Sequence, residues 1–445
     1  MASPSNILFR LYQRTIHSLA FYPTVIALGF LLLCIVTMSI EYQSWLMSIK
    51  QKIDIGLVRN ADNARLILGT LVGGILSLMV FSFSMVMVVL NNAAAALSPR
   101  VIPGLVSSKS HQKTLGVYLG TILYSLLLIT TIELNGSDKV PSLGVLISLG
   151  LGIGCLGLFV HFIRSISQSI QVEHILSNLF TTTHCKLQGR IKKMQALETS
   201  PEWPNDQNWA QTRSQRSGYF KALNVAAANQ ILKENDLQMT VLVHHGFFVS
   251  AGHPLFKTNR PGNEEICQQL LDCFDFFIEE YASIHYFFGC KQISEIAVKA
   301  LSPGINDPGT AIKAIDLLSV LFTQRLQLPD FDVAELDDEP PRLYIRELTV
   351  AQLLQLVLGS IRTYGGADPG VLTTLLQALK NMLYACPQTR YQNEIIDYAK
   401  SVLDTADAQL LNPRDRQELN AFVQRFNAAP LQNETALKPL EIDAR

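Results

Sequence analysis

Four histidines carry the most versatile chemistry in this chain: His244, His245, His253 and His285. An imidazole can bind a metal ion or carry a proton near neutral pH. Their spacing matches no zinc pattern, so the sequence gives no reason to expect a metal. The seven cysteines are odd in number, irregularly spaced and without a CxxC pair. That argues against a disulfide framework and for reducing surroundings. The acidic stretch from Asp330 to Pro341 lacks the glycine of a calcium loop and reads as a solvated linker. The sequence contains no Walker loop, GxSxG elbow, HExxH or deaminase signature. It therefore names no catalytic residue and no cofactor.

The most promising loop runs from Ser302 to Pro308, between two apolar helical patterns. Asp307 can cap the second helix, with Pro308 at its first position. Ser302, Asn306, Asp307 and Thr310 form a candidate functional loop that would touch an ion, a ligand or another subunit. A capped helix-loop-helix with mutually satisfied polar groups explains the same residues.

The elements around these residues fall into two halves. Hydrophobic residues make up 48% of the chain and charged residues 16%, against roughly 25% charged in an average soluble domain. Residues 1–164 carry a net charge of +6 and the remainder −7, so bulk charge does not point to nucleic acid. A span needs about 20 apolar residues. Four segments qualify: Phe21–Ile40, a long stretch from near Ala64 towards Arg100, Leu115–Ile132 and Ser142–Ile163. Arg10, Arg14, Arg100, Lys109, Lys113 and Arg164 place both termini on the cytosolic side of a bacterial inner membrane. Lys50, Lys52 and Arg59 dissent. Residues 5–20 have an apolar side and a basic side, as in an interfacial helix.

Small residues recur at four-residue spacing: Gly69 and Gly73, Gly116 and Gly120, Gly150 and Gly154. In hydrocarbon such stripes let helices pack closely, within one bundle or between subunits. The spans lack ionisable groups at their centres, which counts against a proton- or ion-coupled transporter. Ser82, Ser84, Thr121 and Tyr124 are polar span residues. Asn91, Asn92, Ser98 and Arg100 are candidates for a pore or its cytosolic mouth.

The fold class is thus an α-helical membrane protein: four transmembrane helices, then a mixed α+β, mainly helical cytosolic domain. The expected parts are an interfacial helix (1–20), the spans (21–164), connecting helices and linker (165–216), a small β-rich module (217–260), a helical domain (261–428) and a loose tail (429–445). Within the module, GFFVSAGHPLF reads as a hairpin, with a weak likeness to the half-repeat of biotinyl/lipoyl barrels. Residues 264–280 read as one amphipathic helix, and helices are expected near 348–363, 371–385, 391–408 and 414–427.

The stretch ALSPGINDPGTAIKAIDLL (Ala300–Leu318) resembles a bacterial family of predicted membrane proteins, domain of unknown function twenty-two fifty-four. LSPRVIPGL (Leu97–Leu105), the GFFVSAGHPL segment and IRTYGGADPGV (Ile361–Val371) resemble it too, in the same order. The resemblance implies four spans and a cytosolic domain, and no established activity. Where the family tends to have an Asp before the Phe-Gly pair, this chain has His285 ahead of Phe288-Gly289. Three readings follow: a homo-oligomeric channel or pore in the bilayer, a membrane-anchored sensor or scaffold that binds a ligand or protein, and a membrane-associated enzyme.

Overall fold

A computed structural model describes residues 21–41, 43, 58, 60–96, 109–134, 140–169, 171–196, 202–277, 285–333, 341–386, 389–428 and 436–442. The expected interfacial helix, Ser98 and Arg100 lie outside them, as does the side chain of Asn92. The chain divides into two compact units, one ending and the other beginning near residue 171.

The first unit contains helices α1 (Phe21–Glu41), α2 (Ala61–Ala96), α3 (Lys109–Leu134) and α4 (Ser142–Ser169). Each is long and apolar enough to cross a membrane. α3 is the inner helix: half of its apolar window is buried, against 11% for α2. A Cβ on Gly116 would meet Pro23 and Ile26 of α1, and one on Gly120 would lie 2.6 Å from the Phe30 ring. These glycines let α1 and α3 approach closely. Polar groups inside the bundle bond across helices: Tyr124 OH to Thr37 at 3.2 Å and Ser125 to Ser148 at 3.4 Å.

The second unit begins with helix α5 (Val172–Gln195). Eight strands and further helices follow: β1 (Ala210–Arg213), β2 (Gly218–Leu223), α6 (Val225–Glu234), β3 (Met239–Val241), β4 (Phe248–Val249), β5 (Pro254–Thr258), α7 (Glu264–Asp272), β6 (Phe274–Phe277), α8 (Tyr286–Ala300), α9 (Pro308–Arg325), β7 (Phe331–Val333) and β8 (Leu343–Arg346). The last helices are α10 (Val350–Tyr364), α11 (Pro369–Ala385), α12 (Thr389–Gln409) and α13 (Pro413–Asn427). A five-stranded sheet has the order β1-β5-β3-β8-β7, and a three-stranded sheet the order β4-β2-β6. Among the described residues, only β3 and β8 pair in parallel; the other pairs are antiparallel. Phe220, Phe256, Phe274, Met239 and Leu232 fill the core beside them.

Three features differ from the reading of the sequence. The expected hairpin does not pair with itself: β4 joins β2, while β5 lies between β1 and β3. Gly246 and Gly252 do take left-handed turns, but the strands they separate go to different sheets. The barrel likeness fails for the same reason. The helix expected over 264–280 ends at Asp272, because Phe274–Phe277 pairs with β2. Part of the tail is packed: Asn420 Oδ1 accepts from Leu440 N at 2.7 Å and Asn427 Oδ1 from Leu437 N at 2.8 Å.

Candidate functional site

The histidines assemble in the second unit, and the groups around them come from distant parts of the chain. Gly246 makes the turn after β3 with φ +81 and lies under the Phe287 ring. Its N–H donates to Phe220 O at 2.8 Å, which fixes His245 against β2. His285 is the N-cap of α8: its Nδ1 accepts from Phe287 N at 3.3 Å. The His245 and His285 rings stack with centroids 4.1 Å apart and planes 7° apart. The Phe220 ring stacks on His245 at 5.0 Å.

Glu347, just after β8, lies under this pair. Its Oε1 is 3.1 Å from His285 Nε2, 3.1 Å from Arg190 Nη1 and 3.7 Å from His245 Nδ1. Its Oε2 accepts from Tyr286 OH at 3.1 Å. Arg190 comes from α5 and lies 3.6 Å from Asp332 of β7. Behind Tyr286, the buried Arg325 donates to Tyr286 OH, Leu328 O, Asp330 Oδ1 and Leu348 O at 2.8–3.0 Å. Tyr391 OH also donates to Asp330 at 3.2 Å. α5 reaches this centre because Gly289 of α8 has no side chain: a Cβ there would lie 1.8 Å from Thr183 Oγ1.

The electrostatics follow from burial. Burial alone would raise the Glu347 pKa, but the Arg190 charge and the donors on Oε1 hold it well below the usual carboxylate range. Burial pushes the His285 pKa down to about 3, offset only in part by Glu347. His285 is therefore neutral. Its Nδ1 accepts a backbone N–H, so its proton sits on Nε2 and is donated to Glu347. Burial also lowers the pKa of His244, whose Nδ1 donates to His245 O at 2.9 Å. His253 stands apart, 5.2 Å from the Phe247 ring.

One nitrogen each from His245 and His285 and a Glu347 oxygen lie within 4.8 Å of one another, a spacing that invites a divalent cation. The arrangement does not fit one. Imidazole lone pairs lie in the ring plane, and two stacked rings aim them side by side rather than at a common point. A metal on His285 Nε2 would force the proton onto Nδ1, against the Phe287 N–H. Arg190 already supplies a cation at 3.1 Å from Glu347 and 3.2 Å from His285 Nε2. The cluster is a hydrogen-bonded charge centre.

The loop singled out in the sequence lies apart from this centre. Asp307 accepts from Thr310 N at 3.1 Å and Thr310 Oγ1 at 2.6 Å, and these bonds hold its pKa below the usual carboxylate range. Asn306 takes a left-handed turn with φ +50, and Ser302 Oγ donates to Lys299 O. Asp368 repeats the arrangement at the next Asp-Pro-Gly, accepting from Val371 N at 2.9 Å. In the first unit, Gly69, Gly73, Gly150 and Gly154 have nothing within 4 Å, unlike Gly116 and Gly120. Asn91 is exposed on α2, whereas Ser82, Thr121 and Tyr124 are buried in the bundle.

Sequence reasoning missed Glu347, Arg190, Tyr286 and Arg325. The acidic linker was read as solvated, yet Asp330 and Asp332 pair with Arg325 and Arg190. No local spacing links these residues; the β3–β8 pairing brings them together.

Four helices long and apolar enough to cross a membrane, followed by a mixed α/β unit with a buried charge centre, define the class: a membrane protein with a large second unit. The model of the family described as "Predicted membrane protein (DUF2254)" matches residues 16–381, and the chain belongs to that family. The uncharacterized proteins Rv1290c of Mycobacterium tuberculosis and Mb1321c of Mycobacterium bovis are each 24% identical over 352 residues. The match covers 75% of this chain and 66% of each relative, so the chain spans just under two thirds of their length. No solved structure matches.

Proposed function

We propose that the chain forms a homo-oligomeric, channel-like assembly in a bacterial inner membrane, with both termini and the second unit on the cytosolic side. The observation that carries this reading is the polarity of α2. At about 100° per residue, Gly69, Gly73, Ser77, Ser84 and Asn91 fall within an arc of about 80°. All five are exposed. The buried residues Ala64, Leu68, Ile75 and Ser82 fall on the opposite side. This stripe of small and polar residues, with Leu66, Val80 and Met87 in the same arc, points away from its own bundle. Ser77 Oγ donates to Gly73 O at 2.9 Å, so this face tolerates close packing against another helix. Thr121, Tyr124 and Ser125 of α3, by contrast, bond to groups inside the bundle, so a conducting path would run between copies. The five free cysteines of the second unit and the basic residues of the flanking loops support a cytosolic second unit.

The test is native mass spectrometry of the chain in nanodiscs, with conductance in planar bilayers. An oligomer that conducts, and a G69L/G73L variant that falls to monomer and stops conducting, are the expected results. A monomeric wild type without conductance overturns the reading. A second reading, a membrane-anchored sensor, is favoured by one observation: Arg190 ties α5, the helix that follows α4 in the chain, into the buried charge centre. Loss of soluble-partner or ligand binding on breaking that tie, in a chain that stays monomeric, would select it.

A further inference from the structure

We propose that the stacked His245–His285 pair is a proton-operated latch on α5: a proton taken from water onto His245 displaces Arg190 from Glu347 and loosens the last turns of that helix. Two sets of polar ties hold α5. At its start, Glu173 lies 3.5 Å from Lys313, and at its middle, Gln324 Nε2 lies 2.7 Å from His184 Nδ1. In its last turns, Arg190 pairs with Glu347 and Asp332, and Lys193 donates to Val333 O at 2.9 Å. Only the second set faces the histidines.

His245 is the member of the pair that can take the proton. The tautomer of His285 is fixed, with Nδ1 accepting from the backbone and Nε2–H given to Glu347. His245 Nδ1 is buried without a hydrogen-bond partner, 3.7 Å from Glu347 Oε1. A proton on His245 makes this nitrogen a charged donor to that oxygen. The oxygen then has three donors, and the added charge repels the Arg190 guanidinium beside it. Arg190 has a second carboxylate within reach, Asp332. A shift towards Asp332 costs α5 its only tie to the buried Glu347 carboxylate among the described residues.

The groups that face this event come from every neighbouring element. Glu347, Arg190 and His285 touch it directly. Tyr286 OH holds the far oxygen of Glu347, and Arg325 with Asp330 and Tyr391 holds Tyr286 from behind. His244 is the adjacent residue and donates to His245 O. Phe220 covers the other ring face. None of the carboxylates other than Glu347 lies within bonding distance of His245 among the described contacts.

Peptide-resolved hydrogen exchange of the full chain in nanodiscs at pH 7.5 and 5.5, corrected for intrinsic rates, tests the latch. In the wild type, protection in the last turns of α5 falls roughly tenfold at pH 5.5, while α12 and α13 keep theirs. The H245F variant keeps a stacked ring without a titrating nitrogen, and its α5 protection is the same at both pH values. Should H245F fail to fold, H245Q takes its place. Unchanged α5 protection in the wild type overturns the proposal, as does a pH response that persists in the variant. Stoichiometric uptake of zinc ion at pH 7.5 that H245F abolishes also overturns it, since the donors would then be open to a cation rather than held by Arg190.

Discussion

Two carboxylates in the second unit meet opposite fates. Asp307 is exposed, and both of its partners belong to Thr310, three residues on. Glu347 is buried, and its partners come from α5, the β3–β4 turn and the start of α8. The first completes one helix end. The second gives side chains from three separate elements one shared acceptor. Burial makes the difference: a satisfied carboxylate in water contributes little beyond its cap, while a buried one left without partners, or partners left without it, is costly.

Four experiments can break or sharpen this contrast. The largest effect is expected from E347A, which leaves Arg190 and Tyr286 without their shared acceptor. It should cost about 3–5 kcal/mol, measured by urea unfolding of the detergent-solubilised chain. A loss as small as that of a surface residue would erase the contrast.

Acid should act in the same direction. His285 has a lowered pKa in the folded state, so below about 6.5 the unfolded chain binds a proton that the folded chain refuses. Stability then falls by about 1.4 kcal/mol per pH unit for that proton, continuing towards pH 3. Glu347, also lowered, adds its own loss below about 4.5. H285N keeps a good N-cap and removes the His285 share of the slope above pH 4.5, leaving that of His244, which thermal melts across the range will show.

G289A tests how the centre is reached. Its Cβ would collide with Thr183 Oγ1, and overpacking of this kind costs about 1–3 kcal/mol. T183A should recover part of the loss in the same unfolding assay. The smallest effect is expected from D307A, about 1 kcal/mol for a lost N-cap, with D368A alike.

The same contrast explains what the sequence made legible. The Asp307 cap was readable because donor and acceptor lie within one helical turn. The ends of α10 to α13 were readable for similar reasons: Thr349 with Gln352 forms a capping box, and Pro369 and Pro413 open their helices. The span helices were readable from length and apolarity alone. Glu347 and His285 are 62 positions apart, and Arg190 and His285 are 95 apart. No periodicity reports such pairs. β6 was misread because Leu270, Leu271, Phe274 and Phe277 continue a helical spacing; only pairing with β2 makes it a strand. The four histidines were noticed, but their number did not tell which two would stack.

The parallel pairing of β3 with β8 sets a timetable for synthesis. Met239 must wait for Leu343, and Val241 for Ile345. Until the ribosome has made β8, one edge of β3 stays open, with Met239 and Val241 beside it. Glu347 arrives two residues later still, so Arg190, His245 and His285 are all made before the carboxylate they share. A nascent chain halted before residue 343 would therefore expose a sticky strand edge and a polar cluster without its shared acceptor, a natural handle for quality control.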